Sequence, residues 1–222
     1  MKKAIVLLSG GIDSTVVLAL ALAQDRSCFA ISFDYGQRHA VELEAAKKVT
    51  QFYNVPHRII KIDKTIFNNS SLVNSNLESP RNRSLSAMQT EGIPNTYVPA
   101  RNTLFLAFAL SQCEMHQAQE IHFGANAADY MGYPDCRPAY LQAFQSLMNA
   151  ATKQAVEGEP PKLITPLIHW NKAQIIRKGL ELHAPLEDTF SCYNPINHIS
   201  PCNECDACLL RQDGFAQATS AL

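Results

Sequence analysis

Glycine and proline are scarce: nine glycines and twelve prolines among 222 residues. That excludes collagen-like and low-complexity chains, and disorder too given the apolar content. Long apolar runs are missing as well. Ala4–Leu8 has five residues and the longest run, Val16–Ala23, has eight, whereas a membrane-spanning helix needs about 20. Charge of one sign is not in excess: 19 Lys and Arg against 20 Asp and Glu leave a net charge of −1. With no basic run either, nothing advertises a polyphosphate partner such as DNA or RNA. Met1-Lys2-Lys3 ahead of Ala4–Leu8 superficially imitates a signal peptide. Ser9-Gly10-Gly11-Ile12-Asp13 interrupts it where the apolar region should continue. The expectation is a cytoplasmic protein that engages neither nucleic acid nor membrane.

What is present suits a globular enzyme. Apolar residues make up 46% and charged residues 18%, and a chain this long buries roughly 70% of its unfolded surface. The length predicts one domain with an appendage. Cysteines number seven, and four of them fall after position 191. Cytosolic thiols stay reduced, so a clustered tail points to metal rather than disulfides.

Ala4–Ser9 (AIVLLS) reads as a strand buried on both faces. Gly10-Gly11 breaks it, and Ser14–Gln24 follows as an apolar helix. Cys28–Tyr35 is a second buried strand. His39–Asn54 carries Leu43, Ala46, Val49 and Tyr53 at helical spacing and is stopped by Pro56. His57–Asp63 is a third strand. This β-α-β-α-β order predicts a parallel, doubly wound sheet. Lys64–Asn95 interrupts it with a polar stretch, Asn68–Ser86, of the kind that serves as a lid or binding loop. Alternation resumes with helix Asn102–His116, strand Glu120–Asn126, helix Pro138–Val156, strand Lys162–Leu167 and helix Asn171–His183. The fold class expected is therefore α/β, a Rossmann-like five-stranded sheet.

SGGIDS (Ser9–Ser14) joins the first strand to the first helix. Physically this is an anion site. The glycines let the backbone approach a ligand. The following N–H groups and the positive end of the helix dipole point at it. Ser9, Ser14 and Thr15 add hydroxyl donors. No lysine follows the glycines, so this is not a Walker loop, nor is it G-x-G-x-x-G.

SGGIDS resembles the pyrophosphate-binding loop of the N-type ATP pyrophosphatases, the PP-loop superfamily. These cleave ATP between the α and β phosphates, usually adenylating an oxygen that a nitrogen or sulfur nucleophile then displaces. The resemblance implies an adenine-nucleotide-binding domain over residues 1–187. It places ATP along Leu8, Ser9, Gly10, Gly11, Ile12, Asp13, Ser14, Thr15, Val16, Val17 and Leu18, with adenine against the backbone around Ser32–Asp34. Asp13 would help hold Mg²⁺ with ATP. Lys172, in TPLIHWNK after the fifth strand, resembles the phosphate-facing lysine of that superfamily; an ordinary surface lysine fits the position equally well.

Cys192-x₉-Cys202-x₂-Cys205-x₂-Cys208 supplies four thiols. Four thiolates suit one closed, tetrahedral structural Zn²⁺, although Cys-x₂-Cys-x₂-Cys also occurs around iron–sulfur clusters. The tail, 188–222, is expected to form a zinc-binding C-terminal subdomain packed on the first domain. Such a closed site is not expected to activate water. Cys28 and Cys113 read as core residues. Cys136 sits in a polar loop and reads as either catalytic or structural.

Four further segments fall where ligands should bind: Phe33–His39 (FDYGQRH), Tyr97–Asn102 (YVPARN), Gly124–Arg137 (GANAADYMGYPDCR) and Asp188–Tyr193 (DTFSCY). Together with SGGIDS and the cysteine spacing, they resemble the 7-cyano-7-deazaguanine (preQ0) synthases of queuosine biosynthesis, from Ser9 to Cys208. The resemblance implies a ligase that forms a C–N bond. It would turn 7-carboxy-7-deazaguanine, ammonia and ATP into the nitrile through adenylated acid and amide intermediates, and it would work as a homodimer. Asp13, Arg101 and Lys172 would be the catalytic set, with Arg101 on the α-phosphate or the substrate carboxylate. Asn126, Asp129 and Asp135 would read the deazaguanine edge, and Arg137 would serve its carboxylate. Arg101 also fits a surface ion pair, and Asp129 and Asp135 also fit helix caps or turns. Other readings are a tRNA-thiolating member of the superfamily, a nucleotide sensor without catalysis, and a zinc-ribbon adaptor.

Overall fold

In β1 (Lys3–Leu7) alternate side chains leave on opposite faces. Ala4 and Val6, with Leu8 beyond, enter one hydrophobic cluster, and Ile5 and Leu7 enter another. Both faces are covered, which is why the run lacks polar residues. β1 pairs in parallel with β2 (Ser27–Asp34) and with β4 (Glu120–His122). β3 (His57–Lys61) flanks β2 and β5 (Lys162–Ile164) flanks β4, giving a five-stranded parallel sheet of order β3-β2-β1-β4-β5. This computed structural model describes residues 1–37, 41–67, 69–74, 76–90, 92–126, 132–197 and 199–220.

The first cluster unites the sheet with α1 (Ile12–Ala23), α2 (Val41–Phe52), α7 (Lys172–Glu181) and α8 (Asp206–Thr219). The second unites it with α4 (Arg101–His116) and α5 (Pro138–Ala151). Two short helices, α3 (Leu85–Thr90) and α6 (Lys153–Val156), lie outside these layers. The doubly wound α/β expectation is met. The strand order reverses between β1 and β4, and ligands of such sheets bind at the carboxyl ends there. Among the described residues no helix is long and apolar enough to cross a membrane.

Three expectations need correction. The helix expected over 138–156 is two helices. Thr152 between them is extended, and its hydroxyl accepts from the Ala155 N–H at 3.1 Å, capping α6. The fourth strand ends at His122, not Asn126, because the chain leaves the sheet to close on the first loop. A Cβ on Gly124 would lie 3.4 Å from the Ser14 nitrogen. The polar insert is more than a lid, since it is fastened to the tail. The Asn82 N–H donates to the Glu204 carbonyl at 2.7 Å, and Arg81 bridges Cys205. Arg83 pairs with the buried Asp206 through two of its guanidinium nitrogens, Nε at 3.2 Å and Nη2.

Candidate active site

Gly10 has φ +89, a conformation side chains avoid, and a Cβ there would lie 2.1 Å from the Glu42 carbonyl oxygen. Only glycine lets α2 cross the loop this closely. Beyond it, hydrogen bonds form a closed ring. The Gly11 N–H donates to Ser9 Oγ at 3.3 Å, and the Ser14 hydroxyl donates to the Gly11 carbonyl at 3.0 Å. Ser14 has then spent its only proton, so the 3.1 Å contact between the hydroxyls has Ser9 as donor. No side chain caps α1. Its first-turn N–H groups are left to an incoming anion.

This loop is one wall of a cavity of about 290 Å³. Leu8, Ser9, Gly11, Ile12, Asp13 and Ser14 line it, as do Arg101, Lys172 and the segment 190–193. Thr15, Val16, Val17 and Leu18 do not. All four are completely buried, and the three aliphatic ones pack in the first cluster. Their side chains support the loop from behind.

Lys172 opens α7 and points inward, so it is not an ordinary surface lysine. Its Nζ lies 2.7 Å from both Asp13 carboxylate oxygens. Gly214 lets α8 rest on the lysine stem: a Cβ there would meet Lys172 Cγ at 2.4 Å. Asn126, expected at the substrate edge, donates instead to Asp13 Oδ2 at 3.0 Å and is buried. It orients the acid rather than facing open space.

Arg101 starts α4 within the cavity, 5.8 Å from the Tyr35 ring centre and 5.6 Å from that of Phe105. Burial works against its charge, but Tyr35, Cys136, Tyr133 and Asp135 outweigh it and hold the guanidinium above its ordinary pKa. A surface ion pair does not describe this environment. Asp135 is buried and accepts from the Asn102 N–H at 3.0 Å, satisfying one of the free donors of the first turn of α4. It is a capping residue outside the cavity lining. Arg137 is exposed at the N-cap of α5, outside the lining formed by the described residues. Asp129 lies outside the described residues. Cys136 lines the cavity, and its sulfur accepts from Asn102 Nδ2 at 3.1 Å.

Sequence reasoning missed two charged cavity residues, Arg211 and Glu42, and reached Tyr35 only as part of the segment 33–39. Tyr35 is buried at the end of β2. Arg211 is anchored by Thr189 Oγ1 at 2.7 Å and the Leu186 carbonyl at 3.0 Å. Its signal was the three-residue step from Cys208 along one helix face. Glu42 stands on the first turn of α2, where burial pushes its carboxyl up to about 7 against the opposing pull of Arg101.

The sulfurs of Cys192, Cys202, Cys205 and Cys208 all lie within 4.8 Å of one another, and all four cysteines are reduced and buried. Backbone N–H groups of residues 193, 194, 202, 204 and 205 point at these sulfurs from 3.3–3.5 Å. Such donors offset negative thiolate charge, so the set fits a metal ion. Cys192 also lines the cavity. The tail thus joins the cysteine cluster and the cavity in one wall.

The sequence profile described as "Queuosine biosynthesis protein QueC" matches residues 3–219. A 7-cyano-7-deazaguanine synthase of Alcanivorax borkumensis is 48% identical over 219 residues, covering 98% of this chain and 96% of the relative. One of Acinetobacter baylyi is 49% identical over 216 residues, covering 97% and 91%. Among solved structures, the NMN synthetase of Francisella tularensis superposes with a TM-score of 0.51 at 15% identity, over 91% of this chain and 70% of that one. A predicted tRNA methyltransferase subunit of Methanocaldococcus jannaschii gives 0.53 at 14%, over 82% and 76%. These distant likenesses concern the fold alone. The profile and the near-half identity over almost the whole length place the chain in the QueC family of queuosine biosynthesis proteins.

Proposed function

We propose that this chain converts 7-carboxy-7-deazaguanine and ammonia into 7-cyano-7-deazaguanine, using ATP for two successive activations in the cavity described above. The observation that carries this reading is an uncapped helix N-terminus facing Lys172 and Arg101 in one cavity, in a chain whose relatives bear that synthase name. A carboxylate oxygen leaves badly, and transfer of AMP makes it a good leaving group. Ammonia then gives the amide, and adenylating the amide oxygen allows dehydration to the nitrile.

In this reading the loop 9–14 holds the β and γ phosphates through backbone N–H groups. Lys172 moves from Asp13 to the phosphates, and Asp13 turns to the Mg²⁺ that travels with ATP, which supplies charge neutralisation. Arg101 stabilises charge at the α-phosphate or orients the substrate carboxylate. The four cysteines hold one structural Zn²⁺, a cross-link that keeps the subdomain 188–222 on the remainder. A zinc–sulfur bond of about 2.3 Å puts tetrahedral sulfurs about 3.8 Å apart, which the observed cluster approaches without the room that several irons need. A thiolate metal site of this kind suits a reducing, cytoplasmic setting. Phe108 and Met115, seven residues apart and exposed on α4, offer a homodimer an apolar face.

The test is incubation with ATP, Mg²⁺, ammonium and 7-carboxy-7-deazaguanine, read by mass spectrometry. Amide, nitrile and AMP are expected. AMP release that ignores the acid, with no nitrile, would overturn the reading.

A further inference from the structure

Nitrile synthesis must dispose of several protons, and the residues considered so far accept none of them. Among the described cavity-lining residues there is no histidine and there are two carboxylates, Asp13 and Glu42. Asp13 is committed to Lys172 and Asn126. The described residues leave the Glu42 carboxylate without a hydrogen-bond partner. Its backbone is fixed against the loop at Gly10, and its side chain shares the cavity with Ser9, Gly11, Tyr35 and Arg101.

Building on the proposed reaction, we propose that Glu42 is the general base for the nitrogen: it takes a proton from ammonium, freeing the nucleophile, and later takes those of the adenylated amide. In the first round Glu42 deprotonates ammonium. The freed lone pair forms the C–N bond, the C–O bond breaks onto AMP, and the nitrogen sheds one more proton to give the amide. In the second round the amide oxygen bonds the α-phosphorus and pyrophosphate leaves. The nitrogen then gives up its two protons in turn. The pair freed by the second completes the triple bond as the C–O bond breaks onto AMP. Glu42 passes each proton to solvent before accepting the next.

A carboxyl near 7 is matched to this task at neutral pH. The titratable groups acting on it do not change charge there: Arg101 is held above its ordinary value, and burial pushes Tyr35 up. Asp13 and Lys172 hold one another, while Arg211, Tyr133, Cys136, Cys192 and Tyr193 complete the ionisable wall.

The experiment compares acid-dependent pyrophosphate–ATP exchange with amide formation in the full chain and in Glu42→Gln. Exchange is expected to survive in the variant, while amide formation falls by about 10²–10⁴-fold; Glu42→Asp should recover part of it. At fixed total ammonium the wild-type amide rate should be level above about 7 and fall below it, whereas Glu42→Gln should climb with free ammonia throughout. Amide formation at the wild-type rate in Glu42→Gln overturns the proposal, as does loss of exchange together with amide. If the variant does not fold, the wild-type profile decides: a rate that keeps climbing with pH overturns the base role. Absence of exchange in the wild type would instead overturn the proposed reaction.

Discussion

Gly214→Ala asks whether the tail helix sets the position of a lysine far from it in sequence. The added methyl would fall 2.4 Å from Cγ and 3.0 Å from Cβ of Lys172, and 2.9 Å from Ile176 Cδ1. Two effects oppose each other. Alanine in a helix interior gains about 1 kcal/mol over glycine. Overpacking a tight contact costs about 1–3 kcal/mol. The balance is a loss of about 0–2 kcal/mol, or up to about 8 °C in melting temperature for a chain of this size. Activity should respond more sharply. To clear the methyl, the Lys172 stem must swing, and Nζ then leaves its 2.7 Å contacts with Asp13. Losing one positioned charge in a catalytic site costs roughly 10²–10³-fold in rate. Thermal melts and steady-state nitrile formation measure the two effects separately. A variant that melts higher and keeps its kcat/KM would show that the stem slides aside freely and that α8 does not hold it.

Asp13→Ala should weaken binding of ATP with Mg²⁺ and slow nitrile formation, while leaving Lys172 without its partner; unchanged kinetics would remove Asp13 from the site. Glu42→Gln should stabilise the fold in a pH-dependent way. The folded carboxyl titrates near 7 against an ordinary 4.5, so the folded state binds more protons between those values and wild-type stability falls as pH rises through them. The variant's advantage should be near zero at pH 4 and reach about 1–3 kcal/mol above pH 7. Equal differences in denaturant melts at acid and alkaline pH would refute this. Chelation should expose Arg81 and Arg83 to trypsin, because the Asn82–Glu204 bond and the Arg83–Asp206 pair hang on the cysteine turn; peptide mapping that finds no new cleavage would show that the insert holds without metal.

Legibility in the sequence followed burial and spacing. β1 announced itself because a strand covered on both faces tolerates no polar residue, and Gly10-Gly11 marked where it ends. The cysteines were legible because three of the four sit on one short turn. What escaped depended on contacts between distant elements. Asp135 read equally well as a ligand reader or a cap, because nothing local shows that the first turn of α4 needs an acceptor there. Glu42 looked like any acidic residue near a helix start; its character comes from α2 lying on Gly10. Val16, Val17 and Leu18 were assigned to the nucleotide by continuing a motif past the point where the helix turns its side chains into the core.

The cavity draws its walls from segments far apart in sequence, with the loop after β1 facing the segment that runs from Phe190 to Arg211. During synthesis the loop emerges early and its opposite wall late. Joining them closes a long stretch of chain, which is slow and entropically costly. The cysteine turn, by contrast, closes locally and can form as a unit as soon as it leaves the ribosome. Until α8 docks, the anion-binding turn therefore stands without Arg211 and without the support behind Lys172.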